Sequence, residues 1–182
     1  MSIDTELYRG NKVLFTGFDH DADSVVEASW THNPAFMRMQ YIQPMKPQAS
    51  VQVKKQYEEI EKACEEDKDL FHFQVRLAID NSLIGFCQIN SISWSNRSAA
   101  VLLGIGDPAN HRCGFGTEIL SMATRFAFDE LNLERLSCKV PAYNVAAIAL
   151  AVKNGFSPEG QLREAIYRDM VRWDLHLFGK AR

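Results

Sequence analysis

Gly104-Ile-Gly-Asp-Pro-Ala-Asn-His-Arg-Cys-Gly-Phe-Gly-Thr-Glu-Ile119 reads as the end of a buried strand, a short irregular loop and a glycine-rich entry into a helix. Residues 99–105 before it are almost wholly apolar, as a strand covered on both faces requires. After it, Ile119, Leu120, Ala123, Phe126, Ala127 and Leu131 recur at helical spacing. A glycine-rich turn at a helix N-terminus lets backbone N–H groups approach an anion, and the helix dipole favours negative charge there. Gly114 and Gly116 carry no side chain to block that approach, and Thr117 adds a hydroxyl. A phosphate-bearing cofactor is the first expectation.

Three kinds of phosphate loop compete for this stretch. The phosphate-loop NTPase motif ends in Gly-Lys-Ser/Thr, a triplet absent from this chain. Gly104, Gly106 and Ala109 formally fit the dinucleotide pattern, but that pattern opens a helix directly, whereas Pro108 and Asn110 prolong a loop. The second pair, Gly114 and Gly116, meets Ile119 where a third glycine belongs. What remains is a strand ending in Asp-Pro, a loop with Arg112, and Gly-x-Gly at the head of a long helix.

Residues 111–118, His-Arg-Cys-Gly-Phe-Gly-Thr-Glu, resemble the acyl-CoA loop of the GCN5-related N-acetyltransferases, written Gln/Arg-x-x-Gly-x-Gly/Ala. The similarity is greatest to the branch that acetylates ribosomal-protein N-termini, the RimJ/RimL type, which also holds polyamine and amino-acid acetyltransferases. Asn96-Arg-Ser-Ala99, Ile105-Gly-Asp-Pro108, Ala142-Tyr-Asn144 and Lys153-Asn-Gly-Phe156 resemble further blocks of that branch in the expected order. Trp30-Thr-His-Asn-Pro34 and Leu83-Ile-Gly-Phe86 look similar too, so the resemblance covers nearly the whole chain. It implies an α+β fold, a mixed and mostly antiparallel sheet flanked by helices, with a splayed parallel strand pair that takes the pantetheine arm of acetyl-CoA. It implies cofactor contacts at Gly104, Ile105, Gly106, His111, Arg112, Cys113, Gly114, Phe115, Gly116, Thr117, Asn144 and Lys153. The implied reaction is attack by a neutral primary amine on the thioester, the amine belonging to a protein N-terminus, a polyamine or a small molecule. A homodimer is a further expectation of the resemblance.

The proton-handling positions depart from the family pattern. A tyrosine that protonates the leaving thiolate is common where this chain has Ala151, a glutamate is common at Ala100, and an acid at Ser137. The weak catalytic candidates left are His111, Ser137 and Tyr143. An acyl-CoA-binding module that has lost catalysis therefore stays open beside the enzyme. Several residues also have plainer roles: Asn144 suits a helix N-cap, Lys153 a solvated helix end, and Cys113 a loop position at a helix N-terminus, where thiols can be reactive.

The 182 residues suffice for one well-packed domain, expected to span 1–182. A net charge of −3 supplies no electrostatic reason to expect nucleic acid as a partner. The acidic start Met-Ser-Ile-Asp-Thr-Glu does not read as a secretory leader, and no apolar run approaches a membrane span. Cys64, Cys87, Cys113 and Cys138 are scattered without a C-x-x-C pair. They read as reduced thiols of a cytoplasmic protein, with neither disulfide nor metal expected. Seven of the twelve residues from Glu58 to Asp69 are acidic, either a solvated helix face or a field attracting a cationic acceptor.

Local patterns fill in the remaining elements. A strand is expected at Val13–Thr16, then a helix capped by Asp21 or Asp23 and running through Trp30, with Pro34 beyond its end. Residues 50–66 read as a helix capped by Ser50, after a loop from Pro44 to Pro47. Phe71, Phe73, Val75, Leu77 and Ile79 alternate with polar residues, which predicts a strand with one buried face. Asp80-Asn-Ser82 should turn it into a hairpin with residues 83–92, and Asn96 marks the turn into 99–106. A strand at 135–140, a helix at 144–154 closed by Gly155, and two final strands complete the order. In the last strand Val171, Trp173, Leu175 and Leu177 should share a face.

Overall fold

The structure, a computed structural model, describes residues 7–44, 46–66 and 69–182. Among these, seven strands form one sheet: β1 Val13–Thr16, β2 Phe71–Leu77, β3 Leu83–Ser93, β4 Ser98–Ile105, β5 Arg135–Pro141, β6 Ser157–Arg168 and β7 Val171–Ala181. Their spatial order is β1-β2-β3-β4-β5-β7-β6. All neighbours are antiparallel except β4 and β5, which run parallel. The helices are α1 Ala22–Thr31, α2 Pro34–Gln40, α3 Ser50–Glu66, α4 Phe115–Arg125 and α5 Val145–Lys153. The α+β class and the mostly antiparallel sheet are as the sequence predicts.

Period-two alternation divides the helices between the faces. Ala99, Val101, Leu103 and Ile105 of β4 join the main core with Ile119 and Ala123 of α4 and Ala151 of α5. On the opposite face Trp30 of α1, Phe36 and Met37 of α2 and Phe86 of β3 form a second cluster, and Ala28, Val53 and Tyr57 a third. Each large apolar side chain so enclosed contributes about 1.5–3 kcal/mol.

Because helices cover both faces, β2 departs from its expected pattern. Phe71 and Phe73 pack edge-on against Phe126 in the main core, 5.5 and 5.1 Å between ring centres. On the other face Gln74 is equally buried, and the His72 ring is stacked between Phe18 and Phe86. The strand ends at Leu77, whose N–H donates to the Ser82 carbonyl as the Asp80–Ser82 turn closes. Ile79 is therefore left 90% exposed, outside the strand.

Helix starts are re-assigned by geometry. Asp19 caps α1, its Oδ1 accepting from the N–H groups of Asp21 and Ala22 at 3.2 and 3.0 Å. Asp23 reaches back to accept from the Asp19 N–H at 2.8 Å and also turns inward to Arg76. Ser50 is the first residue of α3, and the cap is made by Gln52, whose Oε1 accepts from the Ala49 N–H at 2.9 Å. Helix α2, not anticipated, begins at Pro34 because Asn33 Oδ1 accepts from Ala35 N–H at 3.0 Å and proline suits a first helical position. The spacing through Leu131 is accommodated by a wider turn after α4, where Leu131 N–H donates to the Phe126 carbonyl five residues back. In β7 the face that meets the main core is that of Phe178, which pairs with Cys138 of β5 between the core residues Leu136 and Val140, so Phe178 rather than Leu177 reaches the core. Met45 of the Pro44–Pro47 loop, the first six residues, and Asp67 and Lys68 of the acidic run lie outside the described residues. The described glutamates Glu58, Glu59, Glu61, Glu65 and Glu66 are on the exposed side of α3.

Enclosure pushes the His72 imidazole down to about 4, its Nδ1 accepting from Gln88 Nε2–H at 2.9 Å while Nε2 is buried without a partner. A folded-state value below the unfolded one confers stability at neutral pH that drains away as pH falls from about 6.5 to about 4, roughly 3 kcal/mol in all. Glu27, raised mainly by burial, works in the opposite direction above the usual carboxyl value of 4.5. Subtracting a His72→Phe profile isolates the imidazole. Urea unfolding at pH 7, 6 and 5 should show the wild type losing more than the variant, and parallel profiles would refute this.

Candidate active site

β4 and β5 are paired only at Ser98 with Arg135, Ala99 with Leu136 and Ala100 with Ser137. Beyond Ala100, β4 continues beside β3 as far as Ile105, and β5 continues beside β7 as far as Pro141. The two parallel strands therefore diverge, and main-chain groups on their facing edges lose their mutual partners, which calls for something to fill the gap. The gap is a cleft of about 460 Å³. Leu120, Ala147, Leu150 and Ala151 line it from α4 and α5, and residues Met39 to Gln43 line it from the opposite face. The cleft thus opens towards both sides of the sheet.

The far wall is held in place by Arg168, a residue no sequence pattern flags. Its guanidinium donates to the Tyr41 and Ile42 carbonyls at 2.9 and 3.0 Å and to the Tyr143 hydroxyl at 2.9 Å. Tyr143 in turn donates to the Arg38 carbonyl at 3.0 Å. Asn144 caps α5 as expected, with Oδ1 accepting from Ala147 N–H at 3.1 Å, while its Nδ2–H reaches the Met39 carbonyl at 3.3 Å. The turn before α5 is thereby fastened to the end of α2.

The loop between β4 and α4 is ordered by its own residues. Asp107 Oδ1 accepts from Ala109 N–H at 2.8 Å and starts a single 3₁₀ turn at Pro108. His111 Nε2–H donates back to the Ile105 carbonyl at 3.1 Å. Arg112 has φ 60° and Gly114 φ 87°, so the chain twists through the left-handed region before Phe115 opens α4. Lys12 Nζ, far away in sequence, donates to the Cys113 carbonyl at 3.0 Å and adds a cation beside the loop. Glu118 accepts from the N–H of Lys12 at 3.1 Å, tying α4 to the segment before β1. Gly114→Ala should cost about 1–2 kcal/mol by forcing a side chain into that conformation. Urea unfolding measures this cost, and an unchanged midpoint would show that the loop relaxes.

The other glycines of the stretch answer to packing. A Cβ on Gly106 would lie 1.9 Å from the Trp30 ring, and one on Gly104 2.8 Å from the side chains of Gln40 and Phe86. At Gly116 it would meet Leu150 at 3.3 Å, so this glycine lets α4 approach α5. Phe115 packs against the main core, Thr117 is half-buried on α4, and Lys153 is exposed in the last turn of α5.

None of the three catalytic candidates lines the cleft. His111 is exposed on the loop, Tyr143 is engaged at the wall, and Ser137 donates its hydroxyl to the Ala99 carbonyl at 3.2 Å. Ala100 and Ala151, by contrast, do line it. Sequence reasoning also missed Tyr41, whose hydroxyl is raised to about 12 by burial and then by the nearby Glu27 carboxylate. Cys138 lines the cleft with its thiol pushed up to about 11 by burial. Among the described residues no group of three or more His, Cys, Asp or Glu is placed to hold a metal ion, and no helix is long and apolar enough to cross a membrane.

Residues 12–157 match the family model of the acetyltransferase (GNAT) domain. An uncharacterised N-acetyltransferase of Bacillus subtilis (strain 168), YokL, derived from the SPbeta prophage, is 31% identical over 116 residues, 64% of each protein. The chain thus spans just under two thirds of that relative's length. The spermidine N-acetyltransferase of Vibrio cholerae, solved with CoA and spermine, superposes with a TM-score of 0.80 at 20% identity, covering 94% of this chain and 96% of that one. RimL, a ribosomal L7/L12 alpha-N-protein acetyltransferase solved with coenzyme A, gives 0.82 at 15% identity over 94% and 95%. At such identities these two structures establish the fold.

Proposed function

From the premise that this chain belongs to the GNAT acetyltransferase-domain family, we propose that it is an acetyl-CoA-dependent N-acetyltransferase acting as one domain over residues 1–182. The observation that carries the reading is the parting of β4 from β5 after Ala100, directly upstream of the Gly114–Gly116 entry to α4. The pantetheine arm, which has amides of its own, would lie between the strands and pair with the main-chain edge that β4 turns away from β3, at the Ile105 N–H beside Gly104. The Ile105 carbonyl already accepts from His111. Gly106 would contribute less through its N–H, which already donates to the Ile84 carbonyl at 3.0 Å.

The pyrophosphate would sit on the turn from His111 to Thr117. There the N–H groups of Cys113, Gly114, Phe115, Gly116 and Thr117 lead into the helix dipole, and Arg112 with Lys12 adds positive charge. Asn144 and Lys153 complete the contacts carried over from the family. The acetyl group then lies near the last paired residues, with the acceptor amine entering from the side walled by residues Met39 to Gln43. Attack on the thioester carbon forms the amide and expels the CoA thiolate, and a donor directed at the developing oxyanion lowers the barrier.

CoA should raise the melting temperature in proportion to its concentration over Kd, and NAD should not. Thiol release from acetyl-CoA in the presence of primary amines and ribosomal-protein N-terminal peptides tests turnover. Absence of a CoA shift would overturn the reading. A second reading, binding without catalysis, has one observation in its favour: Ala100 and Ala151 leave the cleft without the family's proton carriers. A CoA shift without thiol release across the panel would favour it.

A further inference from the structure

The lining of the cleft has a one-sided charge. Among the described residues around it, Lys139 is the one cationic side chain, and no carboxylate is among them. Lys139 lies on β5 two residues beyond Ser137, the last residue paired with β4. Leu136, Cys138 and Val140 point into the core towards α4 and α5, so alternation turns Lys139 to the opposite face, the side walled by α2 and its following loop. It is exposed and makes no ion pair among the described residues.

A second donor in the same lining also has no acceptor. Gln40 Nε2 is buried without a hydrogen-bond partner, and its side chain lies over Gly104 at the open end of β4. A buried donor left unpaired is costly, so an acceptor-bearing ligand is favoured at this position. The carboxylates that could have served a polycation are elsewhere. Glu27 does not line the cleft, and its carboxylate is engaged, accepting from the Tyr57 hydroxyl at 2.6 Å and from Gln74 Nε2 at 3.4 Å. Glu61 faces His20 on the outside of α3.

We propose that the acceptor is a primary amine that also bears a carboxylate, of the α-amino-acid type, and that Lys139 selects it by pairing with that carboxylate; this rests on the acetyltransferase reading of the same cleft. Charge complementarity at a site with a single cation discriminates against polyamines, whose second ammonium would meet Lys139 as a like charge. The arrangement also bears on the missing base. No carboxylate in the lining stabilises the ammonium form of the acceptor, so its proton is lost to water more readily than in an acidic pocket. The neutral amine then attacks the thioester carbon, the carbon–sulfur bond breaks, and the proton that the attacking nitrogen gives up passes through water to the leaving thiolate.

The test compares proteinogenic amino acids with their carboxamides, and both with spermidine, by thiol release from acetyl-CoA. Wild type should favour the acid of the best pair by at least about tenfold in kcat/KM, the worth of a charge pair near 1.4 kcal/mol. Lys139→Met should bring acid and amide together, and Lys139→Glu should reverse the order and admit spermidine. Melting shifts of the CoA-saturated protein with the same pairs give a readout independent of turnover, and acids should shift it more than amides. Equal response to acid and amide in both measurements, or spermidine as the best wild-type acceptor, overturns the proposal. So does a preference that survives Lys139→Met. A protein that shows no CoA shift fails at the earlier step, which separates the two readings.

Discussion

Replacing Arg76 with methionine is expected to lower the unfolding free energy by about 3–5 kcal/mol, a large share of the ~5–15 kcal/mol typical of a domain. Asp23 is 1% exposed, and its carboxylate accepts from Arg76 Nη2 at 2.6 and 2.8 Å. The same guanidinium donates to Thr16 Oγ1 at 3.0 Å and to the Asn81 carbonyl at 3.3 Å, so one side chain joins β1, α1 and the β2–β3 turn. Without it, a carboxylate is stranded where water cannot reach. The double variant Asp23→Asn with Arg76→Met should be less destabilised than Arg76→Met alone, because the stranded charge is gone. Urea unfolding decides. A loss under about 1 kcal/mol would place this pair with solvent-exposed ones such as Lys62–Glu66 at 3.8 Å.

Ala147→Trp should abolish the melting shift given by CoA and lower kcat/KM by about a hundredfold or more, since small displacements at a reacting centre already cost that much. Ala147 is half-buried on the first turns of α5 and lines the cleft that receives the pantetheine arm under the proposed function. An indole there occupies the gap between the parted strands. Leu102→Trp reaches the same space from β4, where Leu102 is 37% exposed. The urea midpoint of each apo variant separates a blocked cleft from a damaged fold. If both variants fold and both keep the full CoA shift, the cofactor lies elsewhere.

The legible part of the fold is the part written in local periodicity. The alternation through Phe71, Phe73 and Val75, the turn at Asp80–Ser82 and the helical spacing after Gly116 each depend on residues a few positions apart. Those readings survive with their ends shifted. The errors come where a distant element intervenes. Asp21 gives way to Asp19 as the cap of α1 and Asp23 is claimed as well by Arg76 across 53 residues, and the polar face of β2 is buried because α1 and α3 cover it. The site divides in the same way. The stretch 104–119 announces itself by composition, whereas Lys12, Gln40, Tyr41, Lys139 and Arg168 are isolated residues whose neighbours are dozens of positions away.

By itself, then, the sequence determined that a buried strand runs through a glycine-rich turn into an amphipathic helix, because turn composition and hydrophobic spacing are properties of neighbouring residues. It also determined that Ala100 and Ala151 carry no proton. Only the tertiary structure decided that β4 and β5 separate after three pairs, and that Gly104 and Gly106 are small to make room for Gln40, Phe86 and Trp30. The same holds for Lys139, the one cationic side chain among the described residues of the cleft. Strand pairing and side-chain contact are set by the packing of elements remote along the chain, and no local pattern encodes where those elements meet.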